Sequence, residues 1–96
     1  MNEITNIIQS PLFASQKKKL QKNQIKNLDE AVRNIAQNPK LGSGKVGDLS
    51  GVQVYKFNSI NSLVLLAYEI SENTLFLYSF GSHQNFYKEL KKYINR

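Results

Sequence analysis

The 96-residue sequence has no cysteine and only one histidine, and both scarcities limit its chemistry. Without cysteine there is no disulfide framework and no thiolate nucleophile, which is typical of a reducing compartment, so we expect the chain in the cytoplasm. A zinc site would depend on carboxylates, and no ligand spacing is visible, so we expect no metal and no other cofactor. With seven acidic residues, the sequence also argues against a hydrolase built on two carboxylates.

Long hydrophobic runs are missing as well. No segment approaches the ~18 consecutive apolar residues of a membrane span, and no basic segment followed by an apolar one marks the N-terminus, so we expect neither a membrane anchor nor a secretory signal. The length predicts a single domain, residues 1–96. A hydrophobic content of 41%, with five tyrosines and five phenylalanines, suffices for a modest core.

Positive charge is abundant, because 13 Lys and Arg residues against 7 Asp and Glu residues give a net charge of +6. This excess favours an anionic partner, such as nucleic acid or an acidic protein. A solvated helix face explains equally well the five lysines that cluster in the first helical region, namely Lys17, Lys18, Lys19, Lys22 and Lys26.

Hydrophobic periodicity predicts an α+β fold in which a helical hairpin packs on an antiparallel meander and a further helix ends the chain. The strands are predicted at 52–58, 63–70 and 74–80, with a short additional strand within 1–9. The helices are predicted at 11–22 (after an N-cap at Ser10), 23–38 and 84–94.

In two of these strands the residue pattern predicts which face of the sheet the side chains occupy. In 52–58 we expect the large side chains of Tyr55 and Phe57 to face the core, which turns Lys56 toward the opposite, open face. The apolar run at 63–70 is nearly continuous, which indicates a strand that is covered on both faces or central in its sheet.

The connection at 40–51, KLGSGKVGDLSG, holds four of the five glycines. Glycine this dense is typical of phosphate-binding loops, but the segment lacks the Walker spacing and no Ser or Thr follows Lys45. A flexible loop before a strand is therefore the favoured interpretation.

The only histidine, His83, falls at a predicted strand-to-helix junction, with Tyr87 one helical turn further on. Metal-independent RNA cleavage needs a 2′-hydroxyl deprotonated, a phosphorane stabilised and a 5′-oxygen protonated. An imidazole with its ordinary pKa near ~6.5 can serve either proton transfer. The ammonium of Lys56 can stabilise the developing charge, and Tyr87 can orient His83 or stack on a base. The second proton-transfer group is not identified, and helix capping, core packing and solvated charge are the plainer roles for these three residues.

The order of segments resembles the RelE/ParE superfamily of bacterial toxins. The resemblance spans essentially the whole chain and is carried by PKLG at 39–42, GDLSGVQVYKF at 47–57, LLAYEI at 65–70 and FGSHQNFYKELKK at 80–92. It implies a small twisted antiparallel sheet with helices packed on one face, and a cognate antitoxin encoded beside the toxin. In many members it also implies cleavage of mRNA in the ribosomal A site, which inhibits translation.

Within the superfamily the GSH-x-x-x-Tyr ending looks like the YafQ-type nucleases, and His83 and Tyr87 fall on that pattern. Lys56 falls where related nucleases place a basic or histidine side chain in the middle of the sheet. The resemblance therefore implies a ribosome-dependent mRNA interferase with His83, Lys56 and Tyr87 as catalytic residues. The residues that we expect to contact RNA are Lys45, Arg33 and Lys88, although a plain surface role suits the first two better.

Three positions depart from the nuclease patterns. Leu65 and Gln53 stand where nuclease branches carry arginine, Asn58 stands where one carries a second lysine, and a further loop histidine is missing. Leu65 and Asn58, in place of basic residues, favour one alternative, a ParE-like toxin that acts on DNA gyrase without a nuclease site. The other class that stays open is a catalytically silent module whose basic face meets an acidic partner.

Overall fold

A computed structural model describes residues 4–44 and 50–94, without the side chains of 83–85, 93 and 94. In chain order the elements are β1 (Asn6–Gln9), α1 (Pro11–Lys18), α2 (Lys22–Gln37), a 3₁₀ turn (Pro39–Leu41), β2 (Ser43–Gly44), β3 (Gln53–Ser59), β4 (Ser62–Ser71), β5 (Thr74–Ser82) and α3 (His83–Ile94). None of the helices in this described part is long and apolar enough to cross a lipid bilayer.

The strands form one five-stranded sheet in the order β1-β5-β4-β3-β2. The predicted α+β fold and the antiparallel meander of β3, β4 and β5 are confirmed. The sheet as a whole is mixed, because β1 fills the outer edge of β5 in parallel, from Asn6 opposite Thr74 to Gln9 opposite Leu77. Parallel pairing needs a long crossover rather than a hairpin, and no local sequence signal marks it.

Side chains are buried on both faces of the sheet. The hairpin of α1 and α2 covers one face, which we call the hairpin face, and its core residues are Phe13, Leu28, Ala31, Ile35, Leu66, Tyr68, Leu75, Leu77 and Phe80. The opposite face, which we call the α3 face, buries Val52, Val54, Leu65, Ala67, Phe86 and Leu90. The nearly continuous apolar run of β4 is thus explained, because alternate residues of this central strand enter the two cores.

This arrangement corrects two expectations. The resemblance implied helices on one face only, but α3 packs on the face opposite the hairpin. The face opposite Tyr55 and Phe57 was expected to be open, but α3 covers it where Val52 and Val54 lie. Tyr55 and Phe57 do pack on the hairpin face, as predicted, with their rings stacked at 6.1 Å between centroids.

Helix α1 begins at the predicted proline, and Ser10 is its N-cap, because its Oγ accepts a hydrogen bond from the Phe13 N–H at 2.9 Å. The same hydroxyl donates to the carbonyl of Tyr78. Tyr78 is the extra residue of a β-bulge, since Ala67 pairs with Ser79 while Tyr68 pairs with Leu77. Ser10 therefore both starts the helix and satisfies a carbonyl at the bulge.

The end of α1 comes four residues before the predicted position. The N–H groups of Lys19 and Leu20 bond to the carbonyls three residues earlier, which tightens the last turn and stops the α-helix at Lys18. Helix α2 then begins at Lys22, where the Gln21 N–H donates to Gln24 Oε1 at 2.9 Å.

The glycine-rich connection is ordered in its first part, contrary to the flexible loop that we predicted. Ser43 and Gly44 pair with β3 as the short strand β2. The hydroxyl of the fully buried Tyr68 donates to the Pro39 carbonyl at 2.7 Å and accepts from the Gly42 N–H at 2.9 Å. Residues 45–49 of the connection lie outside the described part of the chain.

The turn between β3 and β4 consists of Ile60 and Asn61, which have φ angles of 48° and 64°. Two successive positive φ values are typical of a tight hairpin turn, where glycine and asparagine are favoured. Ile60 is strained there, because a β-branched side chain is rarely found in left-handed backbone.

Candidate functional site

Lys56 lies in the middle of β3 on the α3 face, two residues beyond the buried Val54. It pairs with Leu65, which in turn pairs with Gly81, so one row of residues crosses three strands. The Lys56 side chain is exposed, and within residues 4–44 and 50–94 it has no ion-pair partner. The predicted orientation of Lys56 away from Tyr55 and Phe57 is therefore found, with its charge available to a ligand.

Helix α3 begins at His83, two residues beyond Gly81, so the predicted strand-to-helix junction is found at the predicted residue. With strands about 4.8 Å apart, the Cα atoms of Lys56 and Gly81 are about 10 Å apart across the sheet. The His83 side chain lies outside the described residues, and its predicted role as acid or base stays a prediction.

Tyr87 lies one helical turn after His83 on α3, and i to i+4 residues share one side of a helix. Its half-buried ring packs on the core of the α3 face and meets the Phe86 ring edge-on at 5.2 Å. Packing of this kind fixes the ring, which suits an orienting group and also accounts for the residue as part of the core.

The predicted RNA contacts are not gathered at one place. Lys88 is exposed on α3, together with Lys91 and Lys92. Arg33 is exposed on α2, which covers the hairpin face, so the fold separates it from Lys56 and Tyr87. Lys45 lies outside the described residues.

Two of the three positions that depart from the nuclease patterns, Leu65 and Gln53, have structural roles. Leu65 is fully buried under α3, directly beside Lys56 in the row across the sheet. Gln53 Oε1 lies 3.2 Å from the Tyr68 hydroxyl oxygen, which places this side chain on the hairpin face. Asn58 is exposed and uncharged. None of these three side chains is charged. Of the four positions that the nuclease patterns make basic, only Lys56 therefore carries a cation on the sheet.

Sequence reasoning missed a polar cleft of about 220 Å³ beside the part of β5 that β1 does not reach. Glu89 lines it together with Ser79 and Ser82. Glu89 lies two residues from Tyr87, about 200° around the helix, so its carboxylate is on the other flank of α3. It does not join Lys56 and Tyr87, and the side chains that the structure describes include no second proton-transfer group beside these two residues. The available sequence signal was that Glu89 follows the inward-facing Phe86 by three residues, a spacing that places the two side chains on the same side of a helix.

The same cleft shows how the sheet edge is protected. Beyond the end of β1, the Gln16 amide donates to the Phe80 carbonyl at 2.8 Å and accepts from the Phe80 N–H at 3.1 Å. One side chain of α1 thus replaces an edge strand at this position.

Several solved structures with this architecture are of bacterial toxins. A mutant of the Escherichia coli toxin RelE in the free state matches with a TM-score of 0.71 and 15% identity, over 99% of this chain and 96% of that one. The Mycobacterium tuberculosis toxin-antitoxin complex RelBE2 matches with a TM-score of 0.69 and 15% identity, over 81% and 96%. Escherichia coli YafQ matches with a TM-score of 0.55 and 17% identity, over 85% and 97%. At these identities the likeness defines the class of fold, which is RelE-like.

Comparison with protein-family models assigns the chain to a family. The model of the ParE-like toxins of type II bacterial toxin-antitoxin systems matches residues 7–91, and the chain belongs to this family. No curated protein sequence matches the chain.

Proposed function

We propose that this toxin is a metal-independent endoribonuclease that cleaves mRNA on the ribosome and thereby inhibits translation. The observation that carries the proposal is the row from Lys56 through Leu65 to Gly81, which brings an exposed ammonium to the face where the His83 end of α3 begins. RelE-like and YafQ-like folds among the solved structures agree with it.

The reaction joins the 2′-oxygen to phosphorus and breaks the bond from phosphorus to the 5′-oxygen. The proton of the 2′-hydroxyl goes to a base, and the leaving 5′-oxygen receives a proton, so the products are a 2′,3′-cyclic phosphate and a 5′-hydroxyl. His83 performs one of these transfers, and the ribosomal environment supplies the other. Lys56 stabilises the charge of the phosphorane, and Tyr87 orients the imidazole or stacks on a base. Lys88, Lys45 and Arg33 hold the RNA backbone outside the reacting centre.

Primer extension on cellular transcripts after induced expression tests this proposal. Wild type is expected to give codon-phased cuts with 5′-hydroxyl ends, and His83→Ala to lose them, since removing an acid or base costs about 10²–10⁴ in rate. Lys56→Ala is expected to reduce cleavage by about 10²–10³, as for other groups that stabilise a charged transition state. The matched control is Lys26→Ala, which removes an exposed lysine of α2 on the hairpin side and is expected to cut normally.

Undiminished cleavage by the Lys56→Ala and His83→Ala variants would contradict the assignment of the site. Absence of cuts in wild type, with growth arrest retained, would contradict the nuclease itself. A normal growth rate on induction, with folded protein detected in the cells, would favour the silent interaction module.

One observation favours the gyrase alternative. Leu65, at the position where nucleases of the RelE branch carry arginine, is fully buried in the core of the α3 face and leaves no second cation beside Lys56. A purified toxin that inhibits gyrase supercoiling of plasmid DNA, equally well as wild type and as His83→Ala, would support this alternative over the nuclease.

The proposed partners are a cognate antitoxin, mRNA and the ribosome, and the proposed location is the cytoplasm. Solved RelE-like toxins occur in toxin-antitoxin complexes, which supports an antitoxin partner here. Co-expression with the protein encoded beside the toxin is expected to restore growth, and co-purification of the two proteins measures their complex.

A further inference from the structure

A polar cleft of about 240 Å³ lies between helix α2 and strand β3. The helix lines it with Asn27, Glu30 and Asn34, which recur at steps of three and four residues and so form one row along the helix. The strand lines it with Tyr55 and Phe57. The cleft therefore has polar side chains on one wall and two aromatic rings on the other.

The aromatic wall presents ring surface to the cleft. Tyr55 and Phe57 are alternate residues of β3, so both side chains leave the same face of the sheet, and their ring planes are inclined by only 18°. Each residue is half-buried, so part of its surface stays open. Partly open aromatic rings are the surfaces on which proteins stack unpaired nucleobases.

The polar wall carries a carboxylate that the fold does not use. Glu30 is exposed and has no ion-pair partner in the described part of the chain. Arg33 is also exposed and unpaired there, about 60° around the helix from Glu30 and away from the buried Ala31. A carboxylate thus faces the cleft, and a guanidinium lies at its solvent side.

Amide groups complete this wall. Asn27 Nδ2 donates to the Oγ of the buried Ser59 at 3.0 Å, which fixes the helix against the strand at one end of the cleft. The carboxamide of Asn34, two turns further along, has no hydrogen-bond partner within residues 4–44 and 50–94. It is available both to donate and to accept.

The outer edge of β3 adds backbone groups. Strand β2 pairs only with Gln53 and Val54, so among the described residues no strand covers β3 from Tyr55 onward. Asn58 lines the cleft at this edge. Backbone N–H and C=O groups at an uncovered edge are strong hydrogen-bonding groups for a ligand.

We propose that this cleft binds the guanine base of a nucleotide. Guanine presents two adjacent donors, N1–H and the N2 amino group, which match the two oxygens of the Glu30 carboxylate. The neighbouring O6 accepts from the Asn34 amide, and the face of the base stacks on the aromatic wall. Arg33 binds the phosphate.

Other ligands fit less well. Adenine and cytosine place a ring nitrogen acceptor beside their amino group, so a lone pair would face a Glu30 oxygen. Uracil places its single N–H between two carbonyl groups. A hard cation would need several oxygen ligands of negative charge, but Glu30 is the only carboxylate among the described residues that line the cleft.

The proposal does not depend on nuclease activity. Tyr55 and Phe57 pack on the hairpin face, whereas Lys56 and α3 lie on the other side of the sheet. The same chemistry can come from a free guanine nucleotide or from a guanosine in single-stranded RNA.

Titration of isotope-labelled protein with GMP, followed by NMR, tests the proposal. Saturable chemical-shift changes are expected, centred on Asn34, Tyr55 and Phe57. AMP is expected to bind at least about tenfold more weakly, because a site that hydrogen-bonds N1–H rejects a base that lacks it. Inosine monophosphate, which lacks only the N2 amino group, is expected to fall between the two.

A conservative variant tests the carboxylate. Glu30→Gln keeps the size of the side chain but replaces an acceptor by a donor, and it is expected to weaken GMP binding about tenfold and to reduce the preference over AMP. The matched control is Glu89→Gln, which changes an exposed glutamate of α3 beside the other polar cleft. This control is expected to bind GMP as wild type.

Two further variants separate phosphate from base. Arg33→Ala is expected to weaken binding of GMP but not of guanosine, which has no phosphate. Phe57→Leu is expected to weaken both ligands about tenfold by removing a stacking surface. Urea denaturation checks the folding of Phe57→Leu, and Glu30→Gln, at an exposed position, keeps the test decisive if Phe57→Leu fails to fold.

A short single-stranded RNA with one guanosine among uridines identifies the source of the base. Displacement of GMP by this RNA, lost in Glu30→Gln, would support the proposal with RNA as the ligand. Retention of GMP in its presence would support the proposal with a free nucleotide as the ligand.

Four outcomes would overturn the proposal. They are no saturable binding of GMP at millimolar concentration, equal affinities for GMP and AMP, undiminished binding by Glu30→Gln, and shift changes centred on Lys56 and α3. None of them bears on primer extension with His83→Ala, so failure here is distinguishable from failure of the nuclease proposal.

Discussion

Replacement of Gly42 by alanine tests how the glycine-rich connection is held. A Cβ at this position would lie 2.6 Å from the Tyr68 hydroxyl oxygen and 2.8 Å from Cε1 of the same ring. The backbone itself tolerates a side chain, because φ at Gly42 is −78°. The expected penalty is therefore steric and falls on a ring that is 0% exposed and hydrogen-bonded to the Pro39 carbonyl and the Gly42 N–H.

The loss in the free energy of unfolding depends on whether the Tyr68 ring or the 39–42 segment moves to make room for the new methyl group. Forcing a methyl group into a packed site costs about 1–3 kcal/mol. Displacing the 39–42 segment instead loses hydrogen bonds of the buried hydroxyl, at about 1 kcal/mol each. Alanine also reduces the conformational entropy of the unfolded chain, and this effect offsets about 0.5 kcal/mol of the lost stability. The net expectation for Gly42→Ala is about 2 kcal/mol of lost stability, or a melting temperature lower by about 10 °C for a domain of this size.

Urea and thermal denaturation followed by circular dichroism measure this loss. The control is Gly44→Ala, two residues away, because a Cβ there would meet nothing within 4 Å. A Gly42→Ala protein as stable as Gly44→Ala would refute the reasoning. A Gly42→Ala variant in a Tyr68→Phe background is expected to cost less than in wild type, because the closest atom of the clash has been removed.

Three further predictions concern stability. Burial raises the pKa of the Tyr68 hydroxyl above its ordinary value of 10.0, so the folded state holds this proton more tightly than the unfolded state, and stability is lost as pH rises above about 10. Urea midpoints are expected to fall more steeply between about pH 9 and about pH 11 for wild type than for Tyr68→Phe. Ser10→Ala is expected to cost about 1–2 kcal/mol by removing the N-cap of α1, whereas Ser15→Ala, at an exposed position of the same helix, is expected to change the urea midpoint little. Ile60→Asn is expected to stabilise the protein by about 1 kcal/mol because asparagine tolerates a positive φ, and a lowered melting temperature would contradict the strain assigned to this turn.

Local patterns in the sequence determined most of the elements. The N-cap at Ser10, the helix stop before Pro39 and the alternation around Lys56 depend on neighbours within a few residues, so their signals are readable without the fold. The placement of His83 at the start of α3 was predictable for the same reason, since a strand-like run changes there into a helical period.

Only the tertiary structure decided what lies across the sheet. The parallel pairing of β1, the strand β2 and the placement of α3 on the face opposite the hairpin all join residues far apart in sequence, and no local preference specifies such pairings. For the candidate site, the sequence selected Lys56, His83 and Tyr87, while the fold set Lys56 in the row with Gly81 and left Arg33 on the other side of the molecule. A groove of about 150 Å³ on the hairpin face belongs to the same category, because its lining residues Leu28, Phe57, Val64 and Phe80 come from α2 and three strands that meet only when the chain is folded.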